Sequence, residues 1–179
     1  VEVVVKRVLL ALAAVAIVAV AVYWFALRDS STTTAAAQPT RAVAQIGAGK
    51  KVIVVGGDGR LLGTASGKKT HLPVLPVKER PKGDRVRGHV GEEVKVLAAA
   101  PKALRRYVAR TDYGKSGVKV EFDSGIEIRF GDARQAAKKW KAAAALLADP
   151  SVTRLSYVDV QAPTRPVVFG EEHELPPAS

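Results

Sequence analysis

Residues 8–27, VLLALAAVAIVAVAVYWFAL, are twenty consecutive positions without a charge. At about 1.5 Å of rise per residue a helix of this length reaches roughly 30 Å, the thickness of a bilayer's hydrocarbon core. Eleven of the twenty are Leu, Ile, Val or Phe, each worth about 0.3–0.6 kcal/mol toward insertion, while Ala is near neutral. The expected transmembrane helix runs from Val8 to Leu27. Tyr23 and Trp24 stand near its end, where amphipathic rings favour the headgroup level. Lys6 and Arg7 flank the other end, and Arg28 is offset by Asp29. The positive-inside rule then makes residues 1–7 a cytoplasmic tail and sends the rest of the chain across the membrane. A cleaved signal peptide would carry an apolar region of only about 7–15 residues, although Ala35-Ala36-Ala37 could serve as its small-residue site. A buried core helix would need a polar face, which this run lacks. The anchor is the reading adopted.

Residues 28–40 are a Ser/Thr/Ala linker with one Pro and no apolar periodicity. The stretch beyond it, from about residue 41 to 170, is long enough for one domain with a core of its own. The chain has no cysteine, so neither a disulfide framework nor Cys-ligated zinc is available. A net charge of +11 and a pI near 10.1 draw anionic partners over long range. The Lys and Arg residues are dispersed rather than gathered in one block, which favours an ordinary basic surface or an anionic membrane or wall over nucleic acid.

Within the domain, Ala42 to Ile46 reads as a strand. Val52 to Val55, the turn Gly56-Gly57-Asp58-Gly59 and Leu61-Leu62 read as a hairpin. Gly63 to Arg87 reads as irregular loop around a short Leu72-Pro73-Val74-Leu75 contact. Two helical stretches come next, roughly Glu92 to Ala100 and Lys102 to Val108, parted by Pro101. The clearest pattern is an alternation: Val118, Val120 and Phe122, then Ile126, Ile128 and Phe130 after the Asp123-Ser124-Gly125 turn. This predicts an antiparallel hairpin with one buried face. Asp132 and Gln135 resemble a capping box opening a helix to about Ala148, with Ala136, Trp140, Ala144 and Leu147 as its apolar stripe. Arg154 to Gln161 reads as the last full strand, and Val167 to Phe169 as a short further one. Residues 171–179 read as a disordered tail. The expected fold class is α+β: a single N-terminal transmembrane helix plus an antiparallel sheet domain with its helices on one face.

No motif in the chain carries catalysis convincingly. Gly47-Ala48-Gly49-Lys50 and Gly56-Gly57-Asp58-Gly59 complete neither phosphate-loop pattern, and hairpin turns need the same glycines. Ser66-Gly67-Lys68-Lys69 and Lys115-Ser116-Gly117 echo motifs of penicillin-recognising enzymes, but the Ser lies in a loop and the domain is too small. His71, His89 and His173 are far apart in sequence with no i, i+4 pair. The expectation is a protein without enzymatic activity, cofactor, metal or small-molecule substrate. An open sheet edge near the C-terminus could accept a partner strand.

The ordered set of segments resembles a known family. Arg41-Ala42-Val43-Ala44 is similar to an "ERxPVA" step, Val54 to Leu62 to "lvDxdGvvf", and Leu72 to Leu75 to "LPxL". Arg129-Phe130-Gly131 is similar to an "xxLG" step, and Val158-Asp159-Val160 to a V-D-hydrophobic step. Together they resemble the β domain of the FtsQ/DivIB bacterial cell-division proteins, over roughly residues 41–169. Members carry a POTRA domain between anchor and β domain, where this chain has only the linker, so that domain is expected to be missing. The resemblance implies a divisome scaffold of the cell membrane, extracytoplasmic and placed at the septum. It binds FtsB/FtsL-like bitopic partners by strand addition beside the last strand, and no nucleic acid. It implies contacts at Tyr157, Val160, Gln161, Ala162, Thr164 and Arg165, with Lys115 as a neighbouring basic contact and Leu155 to Ala162 as the augmented segment. Gln161-Ala162 stands where members often carry an Arg-aromatic pair. The alternative function is a basic, membrane-anchored module that binds anionic lipid or cell-wall polymer.

Overall fold

The computed structural model describes residues 40–47, 49–67, 70–77 and 81–176. The chain divides into two units, Val1–Pro39 and Thr40–Ser179. The expected tail, anchor and most of the linker, including Val8, Tyr23, Trp24 and Leu27, lie outside the described residues, as do residues 177–179. No helix among the described residues is long and apolar enough to cross a membrane.

The alternation from Val118 to Phe130 builds the middle of a sheet. Strand β6 (Gly117–Phe122) and β7 (Glu127–Gly131) pair antiparallel, and Val118, Val120, Phe122, Ile126, Ile128 and Phe130 are all essentially inaccessible to solvent. Around them lie β1 (Ala42–Ile46), β2 (Lys51–Gly56), β3 (Leu61–Ser66), β4 (Val74–Leu75), β5 (Val108–Gly114), β8 (Arg154–Asp159) and β9 (Val167–Glu174). Their spatial order is β3-β2-β1-β4-β5-β6-β7-β8-β9.

The sheet is mixed, which corrects the antiparallel expectation. β1, β4 and β5 run parallel to one another, and so do β7 and β8. In the parallel pairs β4–β5 and β7–β8 helices intervene, whereas β1 and β4 are joined through β2 and β3. Helix α1 (Gly88–Ala98) and the single turn α2 (Lys102–Arg105) carry the chain from β4 back to the start of β5. Helix α3 (Ala136–Leu147) does the same between β7 and β8. Crossovers of this kind return the chain to the starting end of its neighbour, whereas tight turns reverse it.

Helices α1 and α3 touch each other and pack over the buried face of the sheet. Trp140 is the largest buried side chain, and its indole N–H donates to the Val96 carbonyl at 2.8 Å, tying one helix to the other. The ring also meets Phe130 at 4.8 Å in a tilted arrangement, the geometry aromatic quadrupoles favour.

Several local expectations shift. α1 starts at Gly88, one turn earlier than expected, and Val108 already belongs to β5 rather than to a helix. The capping box does not form. Gln135 is left-handed (φ 54°) and makes no side-chain cap. The Asp132 carboxylate instead accepts from Lys139 Nζ at 3.0 Å and from the Arg134 backbone N–H at 3.0 Å. The buried stripe of α3 is consequently Ala136, Lys139, Trp140 and Ala143, displacing Ala144 and Leu147 to partial burial. Lys139 is admitted because its ammonium also meets the carbonyls of Phe130 (2.8 Å) and Asp132 (2.9 Å), the condition for burying a charge. Finally, Glu171 to Glu174, expected in a disordered tail, continue β9.

Candidate functional site: the outer edge of the sheet

Among the described residues β9 is an edge strand, paired on one side to β8 and open on the other. Val167, Val168 and Phe169 are its apolar half, exposed at 56%, 38% and 62%. Exposed β-branched and aromatic residues on a free edge are costly to leave uncovered, because such an edge templates pairing with another chain. The other half is charged (Glu171, Glu172, His173, Glu174). Between them the strand bulges. Leu155 faces His173 and Tyr157 faces Phe169, so the single residue Ser156 opposes Gly170, Glu171 and Glu172. Gly170 takes φ 78°, and a Cβ there would collide with Ser156 Oγ. Arg154 satisfies the carbonyls this exposes, with Nε to Glu171 O at 2.8 Å and Nη2 to Glu172 O at 2.9 Å.

The solvent face of the sheet leads to this edge through a series of charges. Arg110 on β5 pairs with Glu121 on β6 at 2.7 Å. Lys119 on β6 reaches Glu127 on β7 at 3.2 Å, and Glu127 also holds Arg129. Burial works against ionisation at Glu127, but the hydrogen bonds from Arg129 and Lys119 outweigh it and keep its carboxyl below the usual range. Arg129, raised by its bond to Glu127, lays its guanidinium over the Tyr157 ring of β8 at 3.5 Å from the centre. Tyr157 in turn stacks on Phe169 of β9 at 5.2 Å and 25°. A fixed cation thus backs an aromatic pair that ends at the open strand.

Of the residues expected to make partner contacts, Tyr157 sits in this stack. Gln161, Ala162, Thr164 and Arg165 lie together in the connection from β8 to β9, where the Arg165 N–H donates to the Ala162 carbonyl at 2.9 Å. Gln161 lines a cleft of about 440 Å³ with Asp132, Arg134 and Lys139. Lys115 occupies the β5–β6 turn on the same rim of the sheet.

Val160 is a correction: it is fully buried and its N–H donates to Arg129 O at 3.0 Å, because Val158 and Val160 share the inward side of the alternation. The augmented segment is corrected too, since Leu155 to Asp159 is flanked by β7 and β9 and has no free edge. The residues that do present one, Val167 to Phe169, were signalled by their apolar run. Nothing in the sequence alone placed Arg129 beside Tyr157.

The family model described as cell division protein FtsQ/DivIB, C-terminal, matches residues 42–161. The chain belongs to the FtsQ/DivIB family. The match takes in β1 through β8 and ends before β9, so the open strand lies beyond the matched span. Among solved structures, the major extracytoplasmic domain of the trans isomer of the bacterial cell division protein DivIB from Geobacillus stearothermophilus is similar at 19% identity. That similarity covers 64% of this chain and 92% of the other, with a TM-score of 0.42. No curated protein sequence matches. This FtsQ/DivIB chain gathers no group of three His, Asp or Glu side chains fit for a metal ion among its described residues.

Proposed function

We propose that this FtsQ/DivIB protein is a non-catalytic, single-pass scaffold of the division machinery that captures an extended segment of a bitopic FtsB/FtsL-like partner along β9. The protein would be held in the cell membrane by residues 8–27, with its β domain on the outer side at the septum. The observation that carries the reading is the open, apolar half of β9, Val167 to Phe169, backed by Tyr157 and Arg129. Strand addition draws affinity from backbone hydrogen bonds and specificity from alternate side chains. The bulge at Gly170 limits regular pairing to the residues before it, so the partner strand is short and apolar. Gln161, Ala162, Thr164 and Arg165 would then flank one end of the added strand, with Lys115 farther along that rim.

Photocrosslinking in dividing cells tests this directly. A photoreactive side chain at Phe169 is expected to capture an FtsB- or FtsL-like protein, whereas one at Lys138, exposed on α3, captures none. Equal capture at both positions, or none at Phe169, would reject the site.

A further inference from the structure

Because β1, β4 and β5 are parallel and adjacent, their starting ends lie on one rim of the sheet, the rim at which the chain enters the domain through Thr40. The segments feeding those three strands bring basic side chains together. Arg41 precedes β1, His71 lies just ahead of β4, and Lys102, Arg105 and Arg106 lie just ahead of β5. His71, Lys102, Arg105 and Arg106 line a single open cleft of about 570 Å³ together with Leu72, Pro73 and Ala103.

The carboxylates that form ion pairs among the described residues do so elsewhere. Among the described residues Asp58 takes Arg60 and Arg85, and Glu121 takes Arg110. None of Arg41, Lys102, Arg105 and Arg106 makes an ion pair there. Arg41 donates to the Ala98 carbonyl (3.4 Å) and Arg105 to the Ala100 carbonyl, at the end of α1. These neutral acceptors hold the guanidinium groups in place and leave their charge uncompensated among the described residues. Arg106 is pinned over the Tyr107 ring at 4.8 Å. Arg105 Nε is buried without a hydrogen-bond partner. Burial, and then the nearby Arg41 guanidinium, push Arg105 below its ordinary value. Among the described residues a carboxylate does lie close by: Asp123, in the β6–β7 turn, whose N–H donates to Tyr107 O. It forms no ion pair with these cations.

We infer that this basic rim docks the β domain on the anionic phospholipid headgroups of the membrane that anchors it. Arg41, Arg105 and Arg106 are held in place with no counter-charge among the described residues, the arrangement a phosphate-bearing surface complements, each surface Lys or Arg adding to the attraction within a Debye length. The source is the bilayer because the rim is also the chain's point of entry. Residues 28–40 can extend about 40 Å at most, so Arg41 is tethered within reach of the headgroups. The inference rests on the anchor reading of residues 8–27 and is independent of partner capture at β9.

The test uses the full chain reconstituted in lipid nanodiscs. The protein has no cysteine, so Ala103→Cys, exposed in the basic cleft, and Ala162→Cys, exposed on the opposite rim, each carry a single spin label. Relaxation by a nickel-chelating headgroup lipid then reports proximity. In discs with about 30% phosphatidylglycerol, the label at 103 is expected to relax about threefold more than that at 162. The difference should vanish in pure phosphatidylcholine, in roughly 0.5 M salt, and in the Lys102→Gln/Arg106→Gln background. Lys102→Gln alone should reduce it. Equal relaxation at the two positions in anionic discs overturns the proposal, and so does a difference indifferent to lipid charge, as a wall polymer or protein partner would leave it. A chain that washes off the discs in carbonate overturns the anchor reading together with this one. A chain that stays while the labels report equally overturns the docking alone.

Discussion

The Arg129 guanidinium lies 3.5 Å from the centre of the Tyr157 ring, and Tyr157 stacks on Phe169 of the open strand at 5.2 Å. Arg129 is itself held by Glu127, which Lys119 also grips. The solvent face of the sheet is therefore a braced structure whose last free member is Phe169. A cation over a ring is worth about 0.5–1 kcal/mol at an exposed site, and an aromatic pair about 0.5–1.5 kcal/mol. On the proposed function both would act mainly by fixing Tyr157 and Phe169 before a partner arrives, which lowers the ordering cost of binding.

Phe169→Ala is accordingly expected to separate stability from binding. Phe169 is 62% exposed, so its loss should cost the domain no more than about 1 kcal/mol in urea unfolding. Recovery of the division partner from solubilised membranes should fall about tenfold, as for a central interface aromatic. Arg129→Gln should show a smaller loss of the same kind. Recovery unchanged by both substitutions would remove the aromatic stack from the binding surface.

Gly170→Ala tests the bulge. The backbone is left-handed at φ 78°, and the added methyl would run into Ser156 Oγ. Either the strand shifts register or it detaches beyond Phe169, at a cost of about 1–3 kcal/mol. Amide exchange is expected to quicken in Gly170–Glu174 while Val118, Ile128 and Trp140 remain protected. Uniform loss of protection would instead mean that β9 is integral to the core.

Which of these features the sequence discloses depends on how much apolar surface each one buries. The β6–β7 hairpin was legible because every second residue is buried against the helices. β5 was not legible: Arg110 and Asp112 face solvent, and a register shift between Val108 and Arg110 breaks the alternation. Only Val108 and Thr111 are buried in that strand. The tail residues Glu171 to Glu174 carry no apolar period at all, and are held by pairing with β8 and by Arg154. The capping box failed because Lys139, nine residues from Phe130, reaches back to claim Asp132. Of the proposed binding surface, Tyr157 followed from the resemblance to the family. Its backing by Arg129 depends on β7 and β8 being parallel neighbours, a relationship that local pattern does not contain.

Glu93 gives a pH prediction. It lies on α1, 1% exposed, and its Oε1 faces the Thr111 hydroxyl without closing a well-formed hydrogen bond, so that hydroxyl offsets only part of the burial. Burial, with Asp112 nearby, lifts its carboxyl from 4.5 to about 7. The folded state then binds the proton more tightly than the unfolded chain does. This group's contribution is fully present below about 4.5 and is lost as pH rises toward 7. Glu93→Gln should remove the loss, stabilising the Thr40–Ser179 unit at pH 8 by up to about 3 kcal/mol and changing little at pH 4.5. Urea unfolding of both forms at the two pH values checks it; equal m-corrected stabilities at pH 8 would show that Glu93 ionises without penalty.

Asp132 should behave in the opposite sense. Its bonds from Lys139 and then Arg134 hold the carboxyl down at about 2, against 3.8 in an unstructured chain. That stabilisation is present above the unfolded value and disappears as pH falls from about 3.8 through 2. Asp132 is 39% exposed on its side chain while Lys139 is only 5% exposed, so solvent screens the pair from one side and its worth is discounted to about 1 kcal/mol. Asp132→Asn is expected to cost about that much at pH 7 and nothing at pH 2, while Lys139→Met costs more. The Met substitution strips the Phe130 and Asp132 carbonyls of their ammonium donor, and buried acceptors left unmet cost about 1–3 kcal/mol. The two variants unfolding alike at pH 7 would mean that the carboxylate, and not the two carbonyls, is what keeps a lysine in the core beside Trp140.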